Sequence, residues 1–341
     1  MMRILGVAGT AKNTGKTTTT ISLINSIPDP AMLGITSIGY DGEAIDNVTG
    51  LPKPRLHIPE GALVVTAENC LPAGSASLQK LEMTDISTPL GRLVIGRVLR
   101  GGLVVLAGPN SENALRDIIS RLKKYNLKLL LVDGALGRLA PMSAADGLII
   151  ATGASRNTCP TQLLQEALAI EYLLSLPVLP AVEPVFSLPS LLVESDTGLW
   201  PGAGGFIYKT VEFSGVVDIK PFLPIAESLE LFSPLPGLVF HDPVKLLLCG
   251  DLEKMAAKLL HYNKKGGRVG VHSPLPLLAV TVNPFYPHYN KVNGHYGSAM
   301  LHADNLWQAF NSGLTVPVVD IVRQGGEKLA GIINSLINCS G

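Results

Sequence analysis

The sequence predicts an α/β fold with a mainly parallel sheet, a β-rich insertion near residues 41–102 and a second, smaller α/β region. Three observations predict it. Short, continuous apolar runs of strand length alternate with helical-period segments over roughly the first 180 residues, which is the pattern of parallel βαβ units. A glycine-rich stretch separates the first apolar run from the first helix. The 35 glycines and 25 prolines are dense enough for many short elements joined by tight turns, which excludes a long-helix or coiled-coil protein. The chain has 341 residues, and at roughly 150 residues per domain this length implies about two domains. The divisions expected are a first domain over 1–183 that holds this glycine-rich stretch, a connecting region over 184–236 and a C-terminal α/β region over 237–341.

The elements follow in order. Arg3–Ala8 is a first buried-type strand, and Lys16–Ile27 carries Ile21, Leu23, Ile24 and Ile27 at helical spacing until Pro28 and Pro30 stop it. Ala31–Ile38 is a second strand, leading into Gly39-Tyr40-Asp41-Gly42. Leu56–Ile58, Ala62–Thr66 and Leu93–Leu99 are short β-type runs of the insertion. Leu103–Ala107 is a further strand, Ser111–Lys124 a helix with Ser111 as its N-cap, and Lys128–Val132 a strand ending at Asp133. Gly147–Ala151, a helix over Thr161–Ser175 and a strand over Pro177–Val182 complete the first half. Beyond a proline-punctuated stretch, Leu238–Asp242, Lys245–Cys249, Arg268–His272, Leu277–Val282 and Val316–Ile321 are strand candidates. Helices are expected near Asp251–His261 and Gly326–Ile337.

Composition narrows the function. Charged residues are 16% of the chain, apolar residues 47% and the mean hydropathy is +0.33, a balance that disfavours disorder. Lysine plus arginine (27) equals aspartate plus glutamate (27), so no net field draws nucleic acid, and no nucleic-acid partner is expected. The apolar runs are all interrupted by charge or proline before membrane-spanning length. Ile4–Ala8 leads into the glycine-rich loop instead of a cleavage site, so no signal peptide is expected. Cys70, Cys159, Cys249 and Cys339 have no metal-type spacing and read as reduced thiols of a cytoplasmic protein.

The chemistry concentrates in Gly9-Thr10-Ala11-Lys12-Asn13-Thr14-Gly15-Lys16-Thr17-Thr18. It lies between strand and helix, where backbone amides and the helix dipole favour a phosphate. Gly9 and Gly15 permit close approach, and Lys16 supplies a cation for the β and γ oxygens. Thr17 offers a hydroxyl to Mg²⁺, and Thr18 reaches for the α-phosphate. The first glycine stands one residue earlier than in GxxxxGK[ST], giving GTxxxxGKT. Leu129-Leu130-Leu131-Val132-Asp133-Gly134 delivers a carboxylate at the end of an apolar strand, as a Walker B aspartate does in support of Mg²⁺; an ordinary turn aspartate is the plain alternative. Asp41 follows the second strand, where it either senses Mg²⁺ and the attacking water or simply makes an Asp-Gly turn. Lys12 either reaches phosphate, within the loop or across a dimer, or is a solvated loop lysine.

This loop resembles those of P-loop NTPases of two kinds. One is dethiobiotin synthetase, with GT-x4-GKT. The other is the adaptor protein of molybdopterin guanine dinucleotide synthesis, with xKNSGKTT, to which Lys12-Asn13-Thr14-Gly15-Lys16-Thr17-Thr18 is similar. The resemblance implies a P-loop NTPase fold over about the first 180 residues, a nucleoside triphosphate site with ATP and Mg²⁺, and a nucleotide-sandwiching homodimer.

The guanine-reading pattern Asn-Lys-x-Asp is absent. Its near miss, Asn290-Lys291-Val292-Asn293, ends in an amide that cannot accept guanine's two donors as a carboxylate does, which favours ATP over GTP. Asn283–Gly297 packs Phe285, Tyr286, Tyr289, Tyr296, His288 and His295 into one expected loop, either an interface or ligand lid or a loop anchored by its own rings.

Two further stretches, Gly34–Glu43 and Asn47–Arg55, resemble the P-loop subunit of the ATP-dependent reactivating factor for lysine 5,6-aminomutase. That resemblance implies a MutS-related partner subunit and a client enzyme that uses adenosylcobalamin and pyridoxal phosphate. ATP hydrolysis would then drive release of damaged cobalamin. The alternatives are an ATP-dependent carboxylate-activating synthetase of the dethiobiotin type and a regulatory module that binds nucleotide without turnover.

Overall fold

The structure, a computed structural model, describes residues 1–41, 56–200, 207–291 and 294–338. The chain divides into two compact units, one of residues 1–163 together with 277–341 and the other of residues 164–276. These borders differ from the contiguous 1–183, 184–236 and 237–341 expected from sequence. The reason is that the chain leaves the first unit and later returns to it, and composition carries no mark of such a return.

The first unit opens with β1 (Arg3–Gly9) and α1 (Lys16–Asn25), then β2 (Leu33–Ser37) and the short β3 (Tyr40–Asp41). β4 (His57–Ile58), β5 (Leu63–Ala67), β6 (Ser77–Thr88), β7 (Gly91–Arg100), β8 (Gly102–Leu103) and β9 (Leu106–Ala107) follow. Next come α2 (Glu112–Leu122), β10 (Leu129–Ala135), β11 (Gly147–Gly153) and α3 (Pro160–Leu174), which leads into the second unit. Ser111 caps α2 as expected, accepting from the amide of Ala114.

The second unit holds a four-stranded parallel sheet among the described residues, in the order β12 (Val185–Leu188), β13 (Thr210–Phe213), β14 (Gly237–Phe240) and β15 (Val269–Val271). Its helices are α4 (Ile219–Leu229), α5 (Pro243–Leu247) and α6 (Leu252–Lys264). Phe213 stacks on Phe240 with centroids 4.8 Å apart, and Phe222 of α4 meets Phe213 edge-on at 5.6 Å. Two expected strands are corrected here. Lys245–Cys249 falls in and just after helix α5, because Asp242 caps the amide of Lys245 and Pro243 sits at the first helical position. Pro177–Val182 makes only an isolated bridge, Val178 to Val271.

The chain then returns with β16 (Leu277–Asn283), β17 (Phe285–Asn290), β18 (His295–Met300), α7 (Ala303–Gly313), β19 (Val318–Asp320) and α8 (Gly325–Asn338). Among the described residues the main sheet has nine strands, in the order β19-β16-β11-β1-β10-β2-β5-β7-β6. From β19 to β5 all pairings are parallel; β7 and β6 add on antiparallel. The predicted α/β fold with a mainly parallel sheet is therefore what the chain adopts. Strands β5, β6 and β7 of the expected β-rich insertion extend this same sheet. β6 escapes sequence reading because its residues, SLQKLEMTDIST, are mostly polar, as suits an edge strand.

The core follows from strand alternation. Leu5 and Val7 of β1, Leu33 and Ile35 of β2, and Leu129 and Leu131 of β10 share one buried cluster with Leu23 and Ile24 of α1 and Leu329 and Ile333 of α8. Burying each of these side chains is worth roughly 1.5–3 kcal/mol, which fixes α1 on the sheet and hence the position of the loop that precedes it.

Candidate functional site

All residues of the site belong to the first unit. In a parallel sheet the carboxyl ends of the strands lie along one edge, where α/β proteins bind ligands. There the ends of β16, β11, β1, β10 and β2 together border a cavity of about 610 Å³.

Its centre is the loop from Gly9 into the first turn of α1. Gly15 has φ 88°, in the left-handed region, and a Cβ there would stand 3.1 Å from Cγ2 of Ile321 and 3.2 Å from Cβ of Asn283. Only glycine meets both demands without strain. Asn13 also has a positive φ, 62°, a conformation that asparagine tolerates better than most residues. Its carbonyl accepts from Nδ2 of Asn283 at 3.0 Å and from Oγ of Ser155 at 3.1 Å, so the ends of β16 and β11 hold the loop crest. At the start of the loop, Thr10 donates its amide to Ala151 O at 2.9 Å and its hydroxyl to Thr152 Oγ1 at 3.0 Å, both on β11.

Helix α1 begins at Lys16 with no side-chain cap among the described residues. Its run Thr17-Thr18-Thr19-Thr20 is poor in helix propensity, and two of the hydroxyls have tertiary partners instead. Thr19 Oγ1 lies 2.8 Å from Thr281 Oγ1, and Thr20 Oγ1 donates to Oδ1 of Asp133 at 3.3 Å. Lys16 Nζ donates to Oδ2 of the same carboxylate at 2.6 Å. Asp133 is buried, and the Lys16 ammonium offsets a charge that would be costly alone.

Of the residues expected to form the site, Gly9, Thr10, Lys12, Asn13, Gly15, Lys16, Thr17 and Thr18 line the one cavity. Thr14 is buried and donates its hydroxyl to Ala11 O, so its side chain braces the loop. Asp133 meets the cavity through Lys16 and through its neighbours Gly134 and Ala135. The backbone of Asp41 pairs with Leu106 in β3, and its side chain lies outside the described atoms, while Tyr40 lines the cavity.

The expected aromatic loop Asn283–Gly297 is corrected: most of it is a β-hairpin, β17 paired antiparallel with β18 from Phe285–Met300 to Asn290–His295. Tyr289 and Tyr296 stand directly opposite each other in that pairing. Tyr286 lines the cavity, while Tyr289 and Tyr296 pair with each other at 5.2 Å and stay exposed. Asn290 ends β17, and Val292 and Asn293 of the near miss lie outside the described residues. Sequence reasoning also missed Ser155 and Arg138, which no motif marks.

Compared with models of known protein families, with curated proteins and with solved structures, the chain matches none.

Among the described residues no helix is long and apolar enough to cross a membrane.

Proposed function

We propose that this chain is a P-loop NTPase that binds ATP with Mg²⁺ at Gly9–Thr18 and hydrolyses it. The observation that carries the proposal is the meeting of Lys16 and Asp133. One stands at the first turn of a helix entered through a left-handed glycine, the other on the adjacent parallel strand, and both are at the carboxyl end of the sheet, where α/β proteins bind ligands. The cation suits β and γ oxygens, and the uncapped first turn of α1 suits an anion.

The donors present fit magnesium. Among the described residues no group of three or more His, Cys, Asp or Glu could hold a metal by itself. Mg²⁺ on a nucleotide needs only one or two protein oxygens, and the Thr17 hydroxyl and the Asp133 carboxylate would supply them. When bound, the ion offsets charge on the phosphate oxygens. In this reading Lys16 would hold the phosphates, the backbone from Asn13 to Gly15 would fix their place, and Asp133 would help Thr17 hold the metal.

For its role, we propose an accessory or reactivating subunit for an adenosylcobalamin-dependent aminomutase, working with a MutS-related subunit in the cytoplasm. This rests on the resemblance at 34–43 and 47–55, of which 42–55 lie outside the described residues. A second reading, a carboxylate-activating synthetase, is favoured by one observation: the cavity continues past the loop to Ile38, Tyr40 and Leu136, leaving space beside the phosphates for an acceptor. Phosphate release from ATP separates them. Stimulation by the partner and client proteins supports the first, a requirement for a small acid the second, and no turnover with intact binding a regulatory module.

A further inference from the structure

Arg138 closes the short turn Leu136–Arg138 that follows β10, the strand that carries Asp133. It is exposed and lines the same cavity as Lys16 and Thr17. Its neighbour Gly137 faces open space, since a Cβ there would meet nothing within 4 Å. Gly39, two residues past the end of β2, has φ 69°, and a Cβ on it would stand 2.9 Å from Nη1 of Arg138. The guanidinium thus occupies room that the missing side chain of Gly39 leaves.

Arg116, Arg121 and Arg323 are each tied to carboxylates. Arg138 has no hydrogen-bond or ion-pair partner among the described residues. A planar, permanently charged guanidinium placed in a phosphate cavity without a carboxylate partner is suited to phosphoryl oxygens. Lys16, by contrast, already faces Asp133 at 2.6 Å, and a triphosphate brings more negative charge than one ammonium offsets.

Position also separates the two cations. Lys16 lies at the start of α1, whereas Arg138 lies in the turn after β10, the strand that pairs with β2. We propose that Arg138 is a catalytic arginine supplied in cis, which meets the equatorial oxygens of the γ-phosphoryl group as it transfers. The oxygen of water forms a bond to the γ-phosphorus while the bond to the β–γ bridging oxygen breaks. ADP and inorganic phosphate are the products, and one proton of the water passes to solvent.

This inference rests on the ATP reading and deepens it. The test uses the full chain and the variants Arg138→Ala, Arg138→Lys and Lys12→Ala, the last because Lys12 lines the same cavity. Binding of ADP with Mg²⁺, binding of ADP with Mg²⁺ and aluminium fluoride as a mimic of the transferring group, and phosphate release are measured for each. Arg138→Ala should bind ADP within about threefold of the parent yet lose about 100-fold or more in both fluoride-complex affinity and turnover. Arg138→Lys should not restore the planar two-point contact.

The proposal is overturned if Arg138→Ala keeps both properties, if it loses ADP affinity equally, or if Lys12→Ala alone shows the selective loss. A parent chain that binds ADP and the fluoride complex leaves the ATP reading standing under any of those outcomes. A parent that binds no nucleotide at all overturns the ATP reading itself.

Discussion

Lys16 and Asp133 are 117 residues apart in sequence, yet Nζ of one lies 2.6 Å from Oδ2 of the other. The carboxylate is buried, and its Oδ1 accepts a longer bond from Thr20, at 3.3 Å. Lys16 is therefore both the expected phosphate ligand and the principal balance for a buried charge.

Two effects follow for Lys16→Ala. Nucleotide turnover should be lost, and stability should also fall, by about 3 kcal/mol, because Asp133 is left buried without its cation. Thermal melting of the single variant against Lys16→Ala/Asp133→Asn checks this. The double variant should recover part of the loss, and equal melting temperatures for the two would disprove the structural half of the role.

Asp133→Asn keeps the shape of the side chain and removes its charge. The magnesium midpoint for ATP turnover should rise by about tenfold or more, with ADP affinity in EDTA little changed. A magnesium titration with an unchanged midpoint and rate would leave Asp133 as a structural partner of Lys16 and Thr20 alone.

Gly15→Ala asks an L-residue to adopt φ 88° with neighbours already at 3.1 and 3.2 Å. A cost of roughly 1–3 kcal/mol is expected in denaturant unfolding. Nucleotide affinity should weaken alongside it, because the strain falls at the first turn of α1. Alanine at Gly137, which has open space around it, should be nearly neutral in stability.

Much of this site was legible in sequence because its residues are local. Gly9 to Thr18 is one stretch, and an apolar strand that carries Asp133 near its end has its own signal. What was not legible depends on the return of the chain to the first sheet. Asn283 holds the carbonyl of Asn13 from 270 residues away, and Thr281 meets Thr19 from β16, pairings that no spacing encodes. The polar edge strand β6 and the helix α5 were lost for a different reason. Edge position permits polarity that reads as loop, and a five-residue helix of apolar residues reads as a strand.

The aromatic hairpin divides into two kinds of ring. Tyr286 lines the cavity, whereas Tyr289 pairs with Tyr296 and is exposed. Tyr286→Ser should weaken binding of the ligand in the cavity with little change in melting temperature. Tyr289→Ser should leave ligand affinity unchanged and cost roughly 0.5–1.5 kcal/mol through the lost ring pair. A partner-protein interface on the hairpin, as the sequence reading allows, would show as loss of that partner's affinity in Tyr289→Ser.

The roles proposed for Lys16, Asp133 and Arg138 all require that Gly9–Thr18 bind a nucleoside triphosphate. Calorimetric titration of the full chain with a non-hydrolysable ATP analogue and Mg²⁺ tests it most directly, run in parallel on Lys16→Ala. The predicted result is saturable binding by the parent chain, displaced by ADP and weakened by about tenfold or more in the variant, as loss of a charge-assisted contact requires. No binding by the parent, or equal affinity in parent and variant, would contradict the account.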